Sequence, residues 1–111
     1  PSIYYREATL FVLPSLYEAL PTVLLEALAH GLRIVSTDCD FGPREILTDR
    51  QGVRYGTLCK TSSRESMRDA IDDELMVVRD PRVQRKRVIN LLKEGTLNDL
   101  VMSEYPSRRA I

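Results

Sequence analysis

The sequence predicts a single α/β domain, built as part of a Rossmann-like parallel sheet with flanking helices. Short apolar runs rich in β-forming residues alternate with helical patterns, which is the strand–helix order of a doubly wound sheet. The run at residues 8–13 is apolar at consecutive rather than alternate positions, as in a strand covered on both faces. The chain has 111 residues, 43% of them hydrophobic, which is enough for one core and one domain.

Three strands are predicted, at residues 8–13, 34–37 and 55–59. Between the first two strands, residues 22–29 are apolar almost throughout and rich in Leu and Ala, which favours a helix. Pro21 suits the first position of this helix, and Gly31 suits the position just past its end. Pro43 opens a short helix that runs to residue 47.

The last fifty residues predict further helices. Ser62 stands three residues before Glu65, the spacing of a capping box, and marks the start of the first of them. The Asp-Pro pair at 80–81 ends that helix and begins another, which Gly95 ends. One side of this second helix is expected to carry its apolar residues: Val83, Val88, Leu91 and Leu92. A last short helix is predicted over residues 98–105.

Charge and composition narrow the classes of function. Sixteen basic and sixteen acidic side chains give a net charge of zero, which argues against a nucleic-acid partner because such a protein needs a basic face. No apolar run approaches the roughly 18 residues of a membrane span. The single histidine, His30, and the cysteines Cys39 and Cys59 show no metal-ligand spacing. No metal site is therefore predicted, and the cysteines are expected to be reduced and partly buried.

Glu26 is the most informative residue because it interrupts the apolar helix of residues 22–29. If that helix is buried, as its composition predicts, the carboxylate loses hydration and needs a polar partner. Two kinds of partner fit: an arginine such as Arg33 or Arg44, in a buried ion pair, or a pair of ligand hydroxyls. The residues alone leave both interpretations open.

The start of the same helix is a second candidate feature. Pro21 presets the turn, and the N–H groups of Thr22, Val23 and Leu24 point outward beside the positive end of the helix dipole, where a phosphate binds readily. Glu18 lies in the preceding loop, and it is expected to border one cleft at the strand ends together with Glu26. A phosphate cradle between two carboxylates suits a ligand that contains a sugar, a diphosphate and a ribose.

His30 and a basic cluster near residue 82 are further charged features of the sequence. His30 ends the helix of residues 22–29 and is expected to interact with the negative end of its dipole. A basic cluster follows near residue 82, and it is either a solvated helix face or a contact for anionic lipid or for another domain. Its members are Arg82, Arg85, Lys86 and Arg87.

Residues 15–31, with the sequence SLYEALPTVLLEALAHG, resemble the paired-glutamate signature of a known family. The family is that of retaining, nucleotide-sugar-dependent glycosyltransferases with the GT-B fold, in glycosyl transferases group 1. Residues 34–47 continue the resemblance, which covers residues 4–58. The sequence is especially similar to the bacterial members that build lipopolysaccharide, capsule and other surface glycans.

The resemblance implies a fragment of the C-terminal, donor-binding domain of such an enzyme, with a nucleotide diphosphate sugar as donor and no cofactor or metal. Glu18 is then expected to be the catalytic residue that contacts the transferred sugar, and Glu26 to accept the two ribose hydroxyls. Arg44 and Glu45 are expected to shape the neighbouring loop. Five successive residues are expected to hold the sugar and the diphosphate: Ala19, Leu20, Pro21, Thr22 and Val23.

The resemblance also implies partners, boundaries and a location. The acceptor is a glycan or a lipid-linked molecule, and the sugar is transferred with retention, in synthesis of cell-surface polysaccharide or lipopolysaccharide. The missing N-terminal domain of the same enzyme is a further partner. Residues 1–95 are expected to form the partial donor-binding domain, and residues 96–111 a C-terminal helix and tail. The location is cytoplasmic, with peripheral contact at the inner face of the membrane.

The sequence departs from the family pattern at two positions, with Ala19 where the family commonly has Gly and Arg33 where it commonly has Pro. The chain begins without Met, and an isolated donor-binding piece is expected to be inactive. Two alternatives remain: another GT-B activity, such as a sugar-nucleotide epimerase, or a truncated relic that serves only as a binding module.

Overall fold

A computed structural model of the chain describes residues 9–14, 21–38, 42–61 and 63–95. Three parallel strands form one sheet with β2 in the centre: β1 (Leu10–Leu13), β2 (Arg33–Thr37) and β3 (Thr57–Cys59). Four helices accompany them: α1 (Pro21–Ala29), α2 (Pro43–Leu47), α3 (Arg64–Met76) and α4 (Pro81–Glu94). The predicted α/β class is confirmed, and β3 is shorter than predicted because Tyr55 and Gly56 precede its ladder.

The sheet is covered on both faces. Ile34 and Val35 are adjacent in β2, so their side chains point to opposite faces, and both are fully buried. Ile34 packs against α1, α2 and α4, through a core that includes Leu28 and Leu91. Val35 packs on the other face against Ala70 of α3. Within the described part of the chain, no helix is long and apolar enough to cross a membrane.

The end of α1 confirms the predicted role of Gly31. The Gly31 N–H donates to the carbonyl of Leu28 at 2.9 Å, and the Leu32 N–H donates to the carbonyl of Ala27 at 3.1 Å. This pair of hydrogen bonds is a Schellman motif, which requires the positive φ of 72° that Gly31 adopts. A Cβ added at Gly31 would also lie 2.5 Å from the Cβ of Pro81, so the glycine permits close approach of α4.

The helix caps confirm two predictions and correct one. Asp80 caps α4 by accepting from the Arg82 N–H at 2.9 Å, and Gly95 ends the same helix in the left-handed conformation. The capping box at Ser62 is wrong, since the cap of α3 is Ser63, whose hydroxyl accepts from the Ser66 N–H at 3.0 Å. Two adjacent serines have the same capping chemistry, so their side chains do not distinguish the cap in the sequence.

The predicted apolar side of α4 is wrong at two of its four positions. Val83 and Leu92 are 47% and 59% exposed, whereas Leu91 and the polar Gln84 are buried. The Gln84 side-chain amide donates to the carbonyls of Leu32 and Tyr55, at 2.9 and 2.8 Å. Both carbonyls lie outside regular ladders, so each needs a hydrogen-bond donor when it is buried. Gln84 supplies the donor at a helix position where an apolar side chain would otherwise pack.

Arg87 is also buried, at 2% exposure, so the interpretation of the basic cluster as a solvated face is wrong for this residue. Its guanidinium donates to the carbonyls of Glu45, Ile46 and Thr48, at 2.8, 2.9 and 3.3 Å. Its centre also lies 5.2 Å from the centroid of the Tyr55 ring, a cation–π contact. Arg87 therefore anchors the end of α2 to α4.

Replacing Gly31 with alanine should lower the free energy of unfolding by about 2–3 kcal/mol, because the change combines a strained φ with a clash against Pro81. Gly52→Ala is the matched control. Gly52 also has a positive φ, of 85°, but an added Cβ meets nothing within 4 Å. The control should lose only about 1 kcal/mol. Equal losses in urea unfolding would contradict the close approach of α4.

Arg87→Lys should lower the free energy of unfolding by about 2–4 kcal/mol, since lysine keeps the charge but cannot donate in the same fork to the carbonyls at the end of α2. Arg85→Lys, on the exposed side of α4, should change it by less than about 0.5 kcal/mol. Urea unfolding measures both variants. Indistinguishable midpoints would show that the buried hydrogen bonds of Arg87 contribute nothing.

Candidate functional site

The carboxyl ends of the three strands are joined at one edge of the sheet. The Thr37 hydroxyl of β2 lies 3.5 Å from the carbonyl of Leu13 in β1. The Asp38 N–H, just past β2, donates to the carbonyl of Cys59 in β3 at 2.7 Å. Parallel α/β sheets bind ligands outside this edge, which is therefore the candidate site.

The start of α1 lies near this edge because α1 follows the carboxyl end of β1 along the chain. Pro21 is the first helical residue, as predicted, and it contributes no N–H. The first N–H groups of a helix have no acceptor within it, and the helix dipole adds positive charge at the same end. Thr22 is exposed and Val23 is half-buried. The structure thus confirms the helix start, and phosphate binding there stays a prediction.

Glu26 lies on the exposed face of α1, together with Thr22 and Ala29, so the predicted burial of its carboxylate is wrong. The buried residues of this helix are Leu24, Ala27 and Leu28. They are spaced by three and one residues, so they form a single stripe against the sheet. The opposite side of the helix stays in contact with solvent although most residues of α1 are apolar.

The two arginines considered as ion-pair partners of Glu26 bind elsewhere. Arg33 donates to the carbonyl of Glu74 at 2.7 Å, which joins the start of β2 to α3. Arg44 forms an ion pair with Asp38. Among the described residues, the Glu26 carboxylate makes no ion pair. Of the two interpretations, the internal ion pair is therefore wrong for these arginines.

Arg44 and Glu45 shape the loop after β2, as predicted. The Arg44 guanidinium pairs with Asp38, and this hydrogen bond raises the pKa of Arg44. The Glu45 carboxylate accepts from the Gly42 N–H at 3.0 Å, where Gly42 has a φ of 102°. These two contacts, with the Arg87 bonds at the other end of α2, hold this short helix at both ends.

A cavity of about 450 Å³ opens beside the same loop and is bordered by Leu58 of β3. Its lining residues are Asp38, Arg44, Thr48, Gly52, Arg54, Gly56 and Leu58. None of them belongs to α1, so the predicted donor-binding residues that the structure describes do not line this cavity. Sequence reasoning missed it because its lining comes from several short segments without a shared motif.

Several predicted residues fall outside the described ranges: Glu18, Ala19, Leu20 and Cys39, together with residues 96–111. Cys59 is buried, and its sulfur lies 3.8 Å from the sulfur of Met67. His30 lies at the end of α1, with Nδ1 2.8 Å from the carbonyl of Glu26. In the ranges that are described, no three histidine, cysteine or acidic side chains form a metal-binding cluster.

The fold and the site define a Rossmann-like α/β domain in which the helix that follows β1 has an exposed carboxylate, and in which the edge formed by the strand ends is the candidate ligand site. More specifically, the chain belongs to the glycosyl transferases group 1 family, whose model matches residues 1–91.

Relatives support this assignment. An uncharacterised glycosyltransferase of Methanocaldococcus jannaschii is 33% identical over 87 residues, which are 69% of this chain and 21% of that protein. The lipopolysaccharide 1,6-galactosyltransferase of Salmonella typhimurium is 38% identical over 42 residues, 38% of this chain and 12% of the relative. The chain thus spans about a fifth of the length of the archaeal relative, and less of the bacterial one.

The fold is similar to that of a solved structure, the sucrose-phosphate synthase of Thermosynechococcus elongatus. The TM-score is 0.62, and the match covers 93% of this chain and 28% of that protein, at 24% sequence identity. The likeness confirms the predicted fold, that of part of a GT-B glycosyltransferase.

Proposed function

We propose that the chain forms part of the donor-binding domain of a retaining glycosyltransferase. The enzyme transfers a sugar from a nucleotide diphosphate sugar to a glycan or lipid-linked acceptor, in synthesis of cell-surface polysaccharide or lipopolysaccharide. Family membership supports glycosyl transfer, and the name of the Salmonella relative supports this kind of acceptor. The observation that carries the proposal is Glu26, an exposed carboxylate near the start of α1 without an ion pair in the described part of the chain.

Glu26 suits the ribose of the donor. It lies five residues after Pro21, which corresponds to about 7.5 Å along the helix axis. A carboxylate has two oxygens and accepts two parallel hydrogen bonds, which matches the pair of hydroxyls on a ribose. Because Glu26 is already exposed, binding the ribose does not first require an internal ion pair to open.

The start of α1 suits the diphosphate. Thr22 and Val23 have N–H groups in the first turn, where a helix has no acceptor of its own for them. The dipole adds positive charge at this end, so an anion gains both hydrogen bonds and favourable electrostatics. In the proposal, Ala19, Leu20 and Pro21 complete the cradle. The diphosphate then lies on the side of Glu26 that is nearer the strand ends.

The proposed chemistry depends on position and charge. Glu18 is the catalytic residue, and it contacts the transferred sugar. The bond between the anomeric carbon and the diphosphate oxygen breaks, and the oxygen of an acceptor hydroxyl bonds to that carbon on the same face, so configuration is retained. The proton of the acceptor hydroxyl passes to the departing diphosphate oxygen. The N–H groups of the cradle stabilise the charge that develops on the leaving diphosphate. The proposal includes no cofactor and no metal ion.

The proposal also assigns the parts of the chain. Residues 1–95 form the partial donor-binding domain and residues 96–111 a C-terminal helix and tail. The acceptor binds mainly to an N-terminal domain of the same enzyme, which closes on the donor from the other side. The enzyme acts in the cytoplasm, at the inner face of the membrane.

Glu26→Ala, in the enzyme that contains this chain, should weaken nucleotide-sugar binding about 10- to 100-fold, the effect of losing charge-assisted hydrogen bonds. The fold should be unaffected because Glu26 is exposed. Calorimetric titration with a panel of UDP-, GDP- and ADP-sugars measures the change. Glu65→Ala, an exposed acid on α3 at the other face of the sheet, is the matched control and should bind normally. Equal donor affinity in the wild type and in both variants would show that Glu26 does not bind the donor.

Glu18→Ala should lower kcat about 100-fold or more and change donor affinity much less, because a contact with the reacting sugar strengthens in the transition state. Initial rates with saturating donor give kcat, and calorimetry gives the affinity. Glu18→Gln separates charge from shape. An unchanged kcat in both variants would refute the catalytic role.

A further inference from the structure

We propose that the exposed side of α4 is a docking surface for an anionic membrane. Six residues form this surface, which we call the α4 face: Arg82, Arg85, Lys86, Ile89, Leu92 and Lys93. The α4 face is built from residues that take no part in the donor site. The proposal rests on the proposed function only in the membrane location, for which it names the contacting surface. Vesicle binding tests it separately from donor binding.

The α4 face is continuous because α4 buries only one side. Gln84, Arg87 and Leu91 point inward, spaced by three and four residues. The residues of the α4 face recur at the same helical spacing but out of phase with the buried ones, so they form one stripe along the opposite side of the helix. All six are exposed.

The α4 face is strongly cationic. Four of its six residues are basic, and of these Arg82 pairs with Asp80 while staying 84% exposed. Arg85, Lys86 and Lys93 make no ion pair with any residue that the structure describes. The one acidic residue in α4 is Glu94, which is exposed at the end of the helix and lies 3.8 Å from the buried Arg87.

The charges of the molecule are segregated between the two faces of the sheet. Helix α4 contains five basic residues and one acidic residue, whereas α3, on the other face, contains five acidic residues and two basic ones. The chain as a whole is neutral, so it has no general attraction for polyanions. An anionic surface therefore attracts α4 and repels α3, which orients the molecule as well as binding it.

Two large apolar side chains favour a membrane over a nucleic acid. Ile89 and Leu92 are 51% and 59% exposed, and they lie among the basic residues of the α4 face. A phosphate backbone offers nothing to an aliphatic side chain. The interface of a membrane accepts both groups, because basic side chains reach the headgroups while aliphatic ones enter the boundary of the acyl chains.

The test is co-sedimentation of the protein with vesicles of phosphatidylcholine alone or mixed with phosphatidylglycerol. Binding is expected only to the vesicles with phosphatidylglycerol, and it should weaken as salt is added. Arg85→Glu combined with Lys86→Glu should reduce the affinity about tenfold or more. The matched control is Arg64→Glu combined with Arg68→Glu, the same charge reversal on exposed residues of α3, and it should bind normally.

A second pair of substitutions separates a membrane from other polyanions. Ile89→Ser combined with Leu92→Ser should weaken vesicle binding several-fold and leave the net charge unchanged. Circular dichroism checks that each variant is folded. The proposal is overturned if the wild-type protein does not bind the anionic vesicles, or if reversal on α3 and on α4 has equal effects. It is also overturned if the serine variant binds as the wild type does while duplex RNA competes with the vesicles, because the surface would then be a nucleic-acid site.

Discussion

The hydrogen bonds that Gln84 and Arg87 donate from α4 join this helix to the sheet and to α2, and the arrangement of these elements depends on them. Gln84 binds carbonyls just before β2 and just before β3, and Arg87 binds the last carbonyls of α2. A sheet of three short strands leaves many backbone groups between ladders, and each one is costly if buried without a partner. The loop at the candidate site leads into α2. By holding the end of α2, helix α4 helps to position that loop although α4 lies far from it in the sequence.

Boundaries could be predicted wherever one residue's covalent geometry restricts the backbone. Pro21 and Pro81 begin their helices, and Gly31 and Gly95 follow the ends of theirs, because fixed or positive φ angles allow few alternatives. The cap of α3 could not be resolved in the same way. Adjacent serines offer the same hydroxyl, and the spacing to Glu65 pointed to Ser62, whereas Ser63 is the cap.

The side of a helix that becomes buried was less predictable than the helix itself. An apolar composition suggested that Glu26 is enclosed, but one stripe of α1 suffices to fill the contact with the sheet. Conversely, Gln84 and Arg87 are polar and buried, since their partners lie 52 and 41 residues away in the sequence. Local patterns contain no information about such carbonyls. The start of α1 in the candidate site was predictable from Pro21, whereas the exposure of Glu26 and the cavity bordered by Leu58 were not.

The two sides of helix α4 differ in what they contact, and this difference bears on the proposed donor site and on the proposed membrane docking. Its inner side must satisfy particular carbonyls, so Arg87 cannot exchange its partners for solvent or lipid without exposing the end of α2. Its outer side has no such constraint. There Arg85, Lys86 and Lys93, which make no ion pair with a described residue, lie on the same side as Ile89 and Leu92, two large apolar side chains left in water. A rigid inner side also means that docking through the outer side need not disturb the donor edge. Under the proposed function, with a lipid-linked acceptor, docking through the α4 face holds the enzyme at the membrane and leaves the proposed donor site unchanged.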